Sequence, residues 1–260
     1  MSATTATARP ASMLLEQTRA EFLRYLRSPI LSVFTVALPI VFYLFVGLSY
    51  SGHTIAGVPG PVYALAGFGA YAVANVMLST FGIGLAADRA RRMDVLMRAT
   101  PLRPAVFLAG RGIVAIVFGL VSLTAVSLFA VVTGAVSLSP ATWAAMVGWL
   151  LIGSLPFLAL GLAIGYLVNP NAGGAAVNLI ALPLYFAAGV FRPISQLPLV
   201  VQHVAPYLPS YRYAQLAWGA VGATNTAPLG TNLLFLAVWT ALLAAVAVRA
   251  YRREQSRRFA

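Results

Sequence analysis

The residue types that carry most enzyme chemistry are scarce in this sequence. Cysteine and lysine are absent, and the two histidines, His53 and His203, lie 150 positions apart with no acidic residue near either. Nucleophilic catalysis needs a nucleophile beside a base, and a zinc site needs clustered ligands. We therefore expect no catalytic centre and no metal site in this chain, and two surface histidines without chemistry.

The sequence also lacks the residues that usually couple transport to an energy source. Without lysine the sequence cannot form a standard P-loop, so we expect no nucleotide or other cofactor bound by this chain. The long apolar runs have no ionisable residue near their middle, whereas ion-coupled transporters depend on such residues. If the protein transports a molecule, another polypeptide must supply the work.

The apolar runs do contain neutral polar residues. Hydrogen bonding between helices is the simpler role for most of them. The candidates for lining a transport path are Asn75, Ser79, Asn178 and Tyr185. Similarly, Gly161 and Gly165 form a Gly-x-x-x-Gly pair, which we expect to serve packing within the chain.

The overall composition is that of an integral membrane protein. Of the 260 residues, 60% are hydrophobic and only 8% are charged, whereas globular proteins carry about 25% charged residues. The net charge of +12 does not indicate nucleic acid, because the arginines cluster at the ends of apolar segments.

Six apolar runs reach or approach the length of about 20 residues that a membrane helix needs. They comprise residues 30–50, 62–87, 105–133, 142–168, 173–190 and 229–248. The sequence therefore predicts an all-α membrane domain with six transmembrane helices. Pro39, Pro156 and Pro183 lie inside these runs and predict kinks.

The charges predict the orientation. Fifteen of the 17 arginines and all five acidic residues fall on one side of a six-span chain, against Arg192 and Arg212 on the other. Cytoplasmic segments carry the excess of basic residues. We therefore expect a multi-pass protein of the cell membrane with both termini in the cytoplasm.

Two polar segments lie on the predicted cytoplasmic side. Residues 11–28 form an amphipathic pattern that predicts an interfacial helix on the inner leaflet. In residues 88–102, Met93, Leu96 and Met97 have helical spacing, and Pro101 should end the helix. Such a helix either lies on the lipid headgroups or is gripped by a soluble partner.

The segment between the fifth and sixth runs is long, aromatic and interrupted by proline. Residues 192–218 are too apolar for water and too broken to span. They predict short re-entrant helices in the outer leaflet, with tyrosine and tryptophan at headgroup level.

Two stretches resemble a known family. Leu96-Met97-Arg98-Ala99-Thr100-Pro101-Leu102 is similar to the first cytoplasmic loop of type-2 ABC exporter permeases. Ala188-Gly189-Val190-Phe191-Arg192-Pro193-Ile194-Ser195-Gln196-Leu197-Pro198, followed by Pro206-Tyr207-Leu208-Pro209, is similar to the family's stretch after the fifth span. Arg92 or Met93 stands where the family commonly has glycine.

This resemblance implies specific roles. Residues 88–102 would hold a cytoplasmic coupling helix, seated together with residues 11–28 on a separate ATP-binding subunit that carries ATP and magnesium. The implied coupling residues are Asp88, Arg91, Arg92, Met93, Leu96, Met97, Thr100 and Pro101. The implied outer re-entrant residues are Arg192, Pro193, Leu197, Pro198, Tyr207 and Pro209.

The resemblance also implies an assembly of two ATP-binding subunits and two permease chains, identical or different, that meet largely along spans two and five. The predicted function is export of an amphipathic or hydrophobic small molecule, such as a drug, antibiotic or lipid, by a subunit that is not itself an enzyme. The alternatives are a secondary transporter or channel, which would need a midspan carboxylate or histidine, and a non-transporting membrane scaffold.

Overall fold

A computed structural model describes residues 10–27, 29–93, 104–224 and 226–257. The described residues are mainly helical. The helices are α1 (Pro10–Leu26), α2 (Pro29–Phe42), α3 (Gly60–Ala90), α4 (Pro104–Val132), α5 (Pro140–Gly153), α6 (Leu155–Leu167), α7 (Gly173–Ala187), α8 (Leu199–Val204), α9 (Pro209–Ala220) and α10 (Leu229–Arg257). Two short strands, β1 (Thr54–Ile55) and β2 (Val58–Pro59), pair antiparallel between α2 and α3.

Within these described ranges, four helical segments are long and apolar enough to cross a membrane. They are Gly60–Ala90, Pro104–Val132, Pro140–Leu167 and Leu229–Glu254. Helix α7 has 15 residues, which at 1.5 Å per residue gives about 22 Å, shorter than the hydrocarbon layer. The apolar segment Thr35–Tyr50 is also short. The all-α membrane architecture is confirmed, while the count of six spans stays a prediction.

Helix α3 forms the centre of the molecule. Its sequence is rich in glycine and alanine, which allow neighbouring helices to approach closely. Helices α4, α6 and α7 pack around it, and residues 60–82 are buried along their whole length. These residues are therefore covered by the rest of the chain, and the expectation that two chains meet along spans two and five stays a prediction.

The Gly161–Gly165 pair packs α6 against α3. A Cβ atom at Gly165 would lie 2.8 Å from the carbonyl oxygen of Phe81, and one at Gly161 would lie 3.0 Å from that of Leu78. The two backbones are in near contact, so the expected packing within the chain is confirmed.

The predicted interruption of the fourth span is also confirmed. Helices α5 and α6 are separated at Ser154, two residues before Pro156. Proline lacks the backbone N–H, so the carbonyl four residues before it has no helical partner, and this accounts for a break near Pro156. In the first span, regular α-helix gives way to a π-helical turn at Tyr43, four residues after Pro39.

The helices bring the polar segments to two opposite ends. At one end, which we call the charged end, Arg24 of α1, Asp88 of α3, Arg111 of α4 and Glu254 of α10 lie in ion pairs. At the other end, which we call the aromatic end, the indole of Trp218 stacks on Tyr63 at 4.6 Å. The elements around the charged end flank the segment 94–103, so this end holds the candidate site.

Candidate coupling site

A buried arginine organises the charged end. Arg111 lies two turns inside α4 and is only 1% exposed. Its Nη2 donates to Asp88 Oδ2 over 2.5 Å and to Glu21 Oε2 over 3.2 Å, and its Nε donates to Glu21 Oε2 over 3.3 Å. One guanidinium therefore joins α1, α3 and α4.

A second arginine completes the cluster. Arg24 Nη1 donates to Asp88 Oδ1 over 2.7 Å and lies 3.6 Å from Glu21 Oε1. The two arginines balance the two carboxylates. A compensated set of this kind tolerates burial, whereas removing one member leaves a charge in a low-dielectric site. We call Glu21, Arg24, Asp88 and Arg111 the ion cluster.

Close packing holds α1 beside the ion cluster. A Cβ atom at Gly110 would lie 2.9 Å from Gln17 Cγ and 3.3 Å from the backbone nitrogen of Thr18, so glycine is needed where α1 crosses α4. The ring of Tyr25 packs on Phe118 at a centroid distance of 4.0 Å. Burial raises the pKa of the Tyr25 phenol, so this residue adds no charge. Helix α1 is therefore fixed to α4 by packing as well as by charge.

The remaining face of α1 carries exposed apolar residues. Leu15 is 68% exposed, Leu26 is 51% exposed, and Phe22 and Leu23 are also exposed. This pattern suits a helix that contacts lipid on one side. Its placement at the membrane surface stays a prediction.

A second set of contacts ties α3 to the C-terminal helix. Arg89 Nη1 donates to the carbonyl oxygens of Gly165 and Val168 over 2.7 and 3.0 Å, and its Nη2 donates to Glu254 Oε2 over 2.9 Å. The carbonyls belong to the last turn of α6 and its end, where helical carbonyls lack partners. Arg89 therefore joins α3, α6 and α10.

The structure separates the predicted coupling residues. Asp88 is 2% exposed and belongs to the ion cluster, whereas Arg91 and Arg92 are exposed beyond the end of α3 and Met93 is half-buried. Leu96, Met97, Thr100 and Pro101 lie outside the described residues. Asp88 thus occupies the base of the predicted coupling segment.

Arg92 ends α3 in an unusual conformation. Its φ of 54° lies in the left-handed region, and its backbone N–H donates to the carbonyl of Arg89. Glycine is the usual residue at this position after a helix. Arg92 therefore adopts a backbone conformation that favours glycine.

The candidate path residues do not lie together on one surface. Asn75 and Ser79 are buried inside the chain, and Tyr185 is buried with its ring 4.8 Å from that of Tyr71. Asn178 is exposed and donates to the carbonyl of Gly174 on its own helix. Their role in lining a path stays a prediction.

The predicted outer residues flank two short helices, α8 and α9, at the aromatic end. Pro193, Leu197 and Pro209 are buried, whereas Arg192, Pro198 and Tyr207 are exposed. Tyr207 accepts a hydrogen bond at its carbonyl from Trp239 Nε1 over 2.8 Å, which holds this segment to α10. Re-entry into a leaflet stays a prediction.

A buried arginine fastens the same region. Arg212 Nε donates to the carbonyl of Pro206 over 2.6 Å, its Nη1 donates to Asn232 Oδ1 over 3.3 Å, and its guanidinium lies 4.3 Å from the ring centroid of Phe235. A carbonyl, an amide and an aromatic ring thus contact the guanidinium of Arg212 where a carboxylate is the more usual partner.

Sequence reasoning missed Glu21, Arg24, Arg89, Arg111 and Glu254 as members of a site. A signal for Arg111 was present, since an arginine inside an apolar span calls for a named partner. No comparable signal identified Glu21. Glu16 lies on the same helix and is also a glutamate, but it is exposed, so residue type alone does not show which of the two is buried. Among the described residues there is no group of three or more His, Cys, Asp or Glu side chains placed to hold a metal ion.

Comparison with known proteins is consistent with this architecture. Residues 14–220 match the family described as ABC-2 type transporter. The chain is also 26% identical over 249 residues to "Putative transport permease YvfS" of Bacillus subtilis (strain 168), an alignment that covers 94% of this chain and 99% of that protein. The family match extends from α1, through the ion cluster, to the end of α9, and the chain therefore belongs to the ABC-2 type transporter family.

Proposed function

We propose that the protein is the membrane-spanning permease subunit of an ATP-driven exporter, with a separate ATP-binding subunit as its energy source. Membership of the ABC-2 type transporter family supports transport by a multi-pass membrane protein. The cargo is an amphipathic or hydrophobic small molecule, such as a drug, antibiotic or lipid, and it leaves the cytoplasm.

The observation that supports coupling is the ion cluster. Segment 94–103 connects α3 and α4 in the sequence. Asp88 lies in the last turn of α3 and Arg111 lies two turns inside α4, and these two residues are paired. The two helices are thus fastened at the base of this segment. A force applied by a partner on the segment would move α3 and α4 as one body instead of parting them.

Helix α1 extends the proposed contact surface. Glu21 and Arg24 attach α1 to the same base, and Arg91 and Arg92 add exposed positive charge beside it. An ATP-binding subunit would contact segment 94–103 together with α1 and these arginines. In the assembly, two ATP-binding subunits, each with ATP and magnesium, serve two permease chains, and the charged end faces the cytoplasm.

The cargo class follows from the absence of fixed charge between the two ends. Within the described part of the membrane helices, the buried polar residues midway along α3 are the neutral Asn75, Ser79 and Thr80. A stretch without ionisable side chains has no fixed charge that would favour an ionic cargo. This composition supports a hydrophobic or amphipathic cargo.

The proposal is tested by co-purification and reconstitution. The chain should retain its ATP-binding subunit at equal stoichiometry, and transport in vesicles should require that subunit and ATP. Leu96→Asp should detach or uncouple the ATPase, because it places a charge in the predicted apolar stripe of segment 94–103. Leu96→Met is the matched control.

Two results would overturn the proposal. One is transport of the cargo by the chain alone, with no nucleotide-hydrolysing protein in the vesicles. The other is cargo-stimulated ATPase activity in Leu96→Asp that equals the activity of Leu96→Met.

A further inference from the structure

An apolar groove opens on the side of the molecule near the aromatic end. It has a volume of about 640 Å³ and lies between α2, α7 and α8, with walls formed by Phe42, Leu182, Phe186, Phe191 and Val201. The walls present almost no polar surface. Its size is within the range of small-molecule sites, which is about 300–1,000 Å³.

Aromatic contacts shape the groove. The rings of Phe42 and Phe191 meet edge to face at 4.9 Å, and Phe186 stacks on Phe191 at 6.3 Å. The hydroxyl of Tyr50 donates to the carbonyl of Phe191 over 3.5 Å, which ties this wall to the end of the first span. One wall of the groove therefore lies beside Tyr50, the last residue of the first predicted span.

A basic residue stands next to the groove wall. Arg192 follows Phe191 directly, and its side chain is exposed. The sequence contains no acidic residue between Asp94 and Glu254. Of the acidic residues that the structure describes, Glu16 and Glu21 lie on α1, and Asp88 and Glu254 lie near the C-terminal ends of α3 and α10, so none of these four carboxylates is at the aromatic end.

The charge distribution selects the occupant. A second copy of the chain placed on the groove would bring its own Arg192 and no carboxylate, so like charges would face each other across a symmetric contact. A bilayer lipid needs no such pairing and has access from the side. A phospholipid places its phosphate where the arginine is exposed, and in an anionic lipid no headgroup cation offsets the attraction of that phosphate to Arg192.

We propose that this groove binds an acyl chain of an anionic phospholipid from the surrounding bilayer, with the lipid phosphate at Arg192. The chain fills the apolar groove between α2, α7 and α8, and the guanidinium holds the headgroup at the membrane surface. The site is independent of the ATP-binding subunit, so the proposed function can fail while this site stands.

The test uses the full chain in nanodiscs of phosphatidylcholine. A small fraction of the lipid is replaced by phosphatidylglycerol, or by phosphatidylcholine, that carries a photoactivatable group in its acyl chain. Labelled residues are mapped by mass spectrometry. We expect phosphatidylglycerol to label Leu182, Phe186 and Val201 about fivefold more than phosphatidylcholine, which is the factor that one basic residue contributes near an anionic group.

Variants distinguish the contribution of the Arg192 charge to lipid labelling from the contribution of the groove's shape. Arg192→Gln should reduce the preference for phosphatidylglycerol to about one, whereas Arg192→Lys should retain most of it. Val201→Trp should reduce labelling by both lipids, because it fills the groove. The control is a second apolar groove of about 440 Å³ on α4, lined by Val117, Val121 and Thr124. No charged residue adjoins its lining residues in the chain, as Arg192 adjoins Phe191, so it should show no lipid preference.

Three outcomes would overturn the proposal. The first is equal labelling by the two lipids in the unaltered chain, and the second is an unchanged preference in Arg192→Gln. The third is protection of the groove from both lipids as more copies of the chain are placed in each disc, which would assign it to a second copy.

Discussion

Arg111 and Asp88 are 23 positions apart in the chain, yet their side chains meet over 2.5 Å at the base of segment 94–103. Each is almost completely buried. Glu21 of α1 contacts the same guanidinium. Three helices that are separated in the sequence therefore share one charged cluster. The parts of a proposed lever are therefore fastened to one another before any partner binds.

Removing one member of the ion cluster should destabilise the protein, because it leaves a buried charge without its partner. Glu21→Gln removes a charged partner of Arg111 and should lower the free energy of unfolding by about 1.5–3 kcal/mol. Glu16→Gln changes an exposed residue of the same helix and should stay within about 0.5 kcal/mol of the unaltered chain. Denaturation in mixed detergent micelles measures both, and equal effects of the two changes would contradict the cluster.

The left-handed conformation of Arg92 predicts that glycine is better at this position. Arg92→Gly should raise the free energy of unfolding by about 0.5–1 kcal/mol, because only glycine adopts a φ of 54° without cost. Arg91 has a φ of −88°, so Arg91→Gly should lower it by a similar amount. Changes of opposite sign in the free energy of unfolding for Arg92→Gly and Arg91→Gly would support the left-handed conformation of Arg92. A decrease for both variants would contradict it.

The close approach of α6 to α3 predicts a position-dependent effect of alanine. Gly165→Ala should lower the free energy of unfolding by about 1–3 kcal/mol, because the added methyl group would lie 2.8 Å from the Phe81 carbonyl oxygen. Gly148→Ala in α5 adds a methyl group into open space and should have no unfavourable effect. If the denaturation midpoints of the two variants coincide, the packing is not as described.

The arginine distribution predicts opposite sides for two serines. The chain has no cysteine, so Ser195→Cys and Ser256→Cys each introduce a single thiol. In sealed cells an impermeant maleimide should label Ser195→Cys and should label Ser256→Cys only after permeabilisation. The reverse labelling pattern would invert the proposed topology.

Local patterns predicted much of the architecture because they depend on few neighbours. A run of about 20 apolar residues specifies a membrane helix whatever its partners are, and α3, α4 and α10 lie at the predicted positions. Pro156 interrupts the fourth span through its own backbone geometry. The Gly161–Gly165 pair indicated close packing, although its partner helix could not be read from its spacing.

The candidate site was harder to predict because its members are distant in sequence. Asp88 was assigned to the polar segment that a partner would grip, whereas it lies inside the protein with Arg111 and Arg24. Its burial depends on how α1 crosses α4 at Gly110, and no local pattern encodes that crossing. The small residues of the second span make it the centre of this chain, which its hydropathy alone did not predict.

The sequence by itself determined that the protein is a helical membrane protein of the ABC-2 type, because hydropathy, charge distribution and short motifs are properties of neighbouring residues. Only the tertiary structure decided which charges are buried together and which groove adjoins Arg192. Those relationships depend on the packing of helices that are far apart in the chain, where the energy of a buried charge is set by its partners in space.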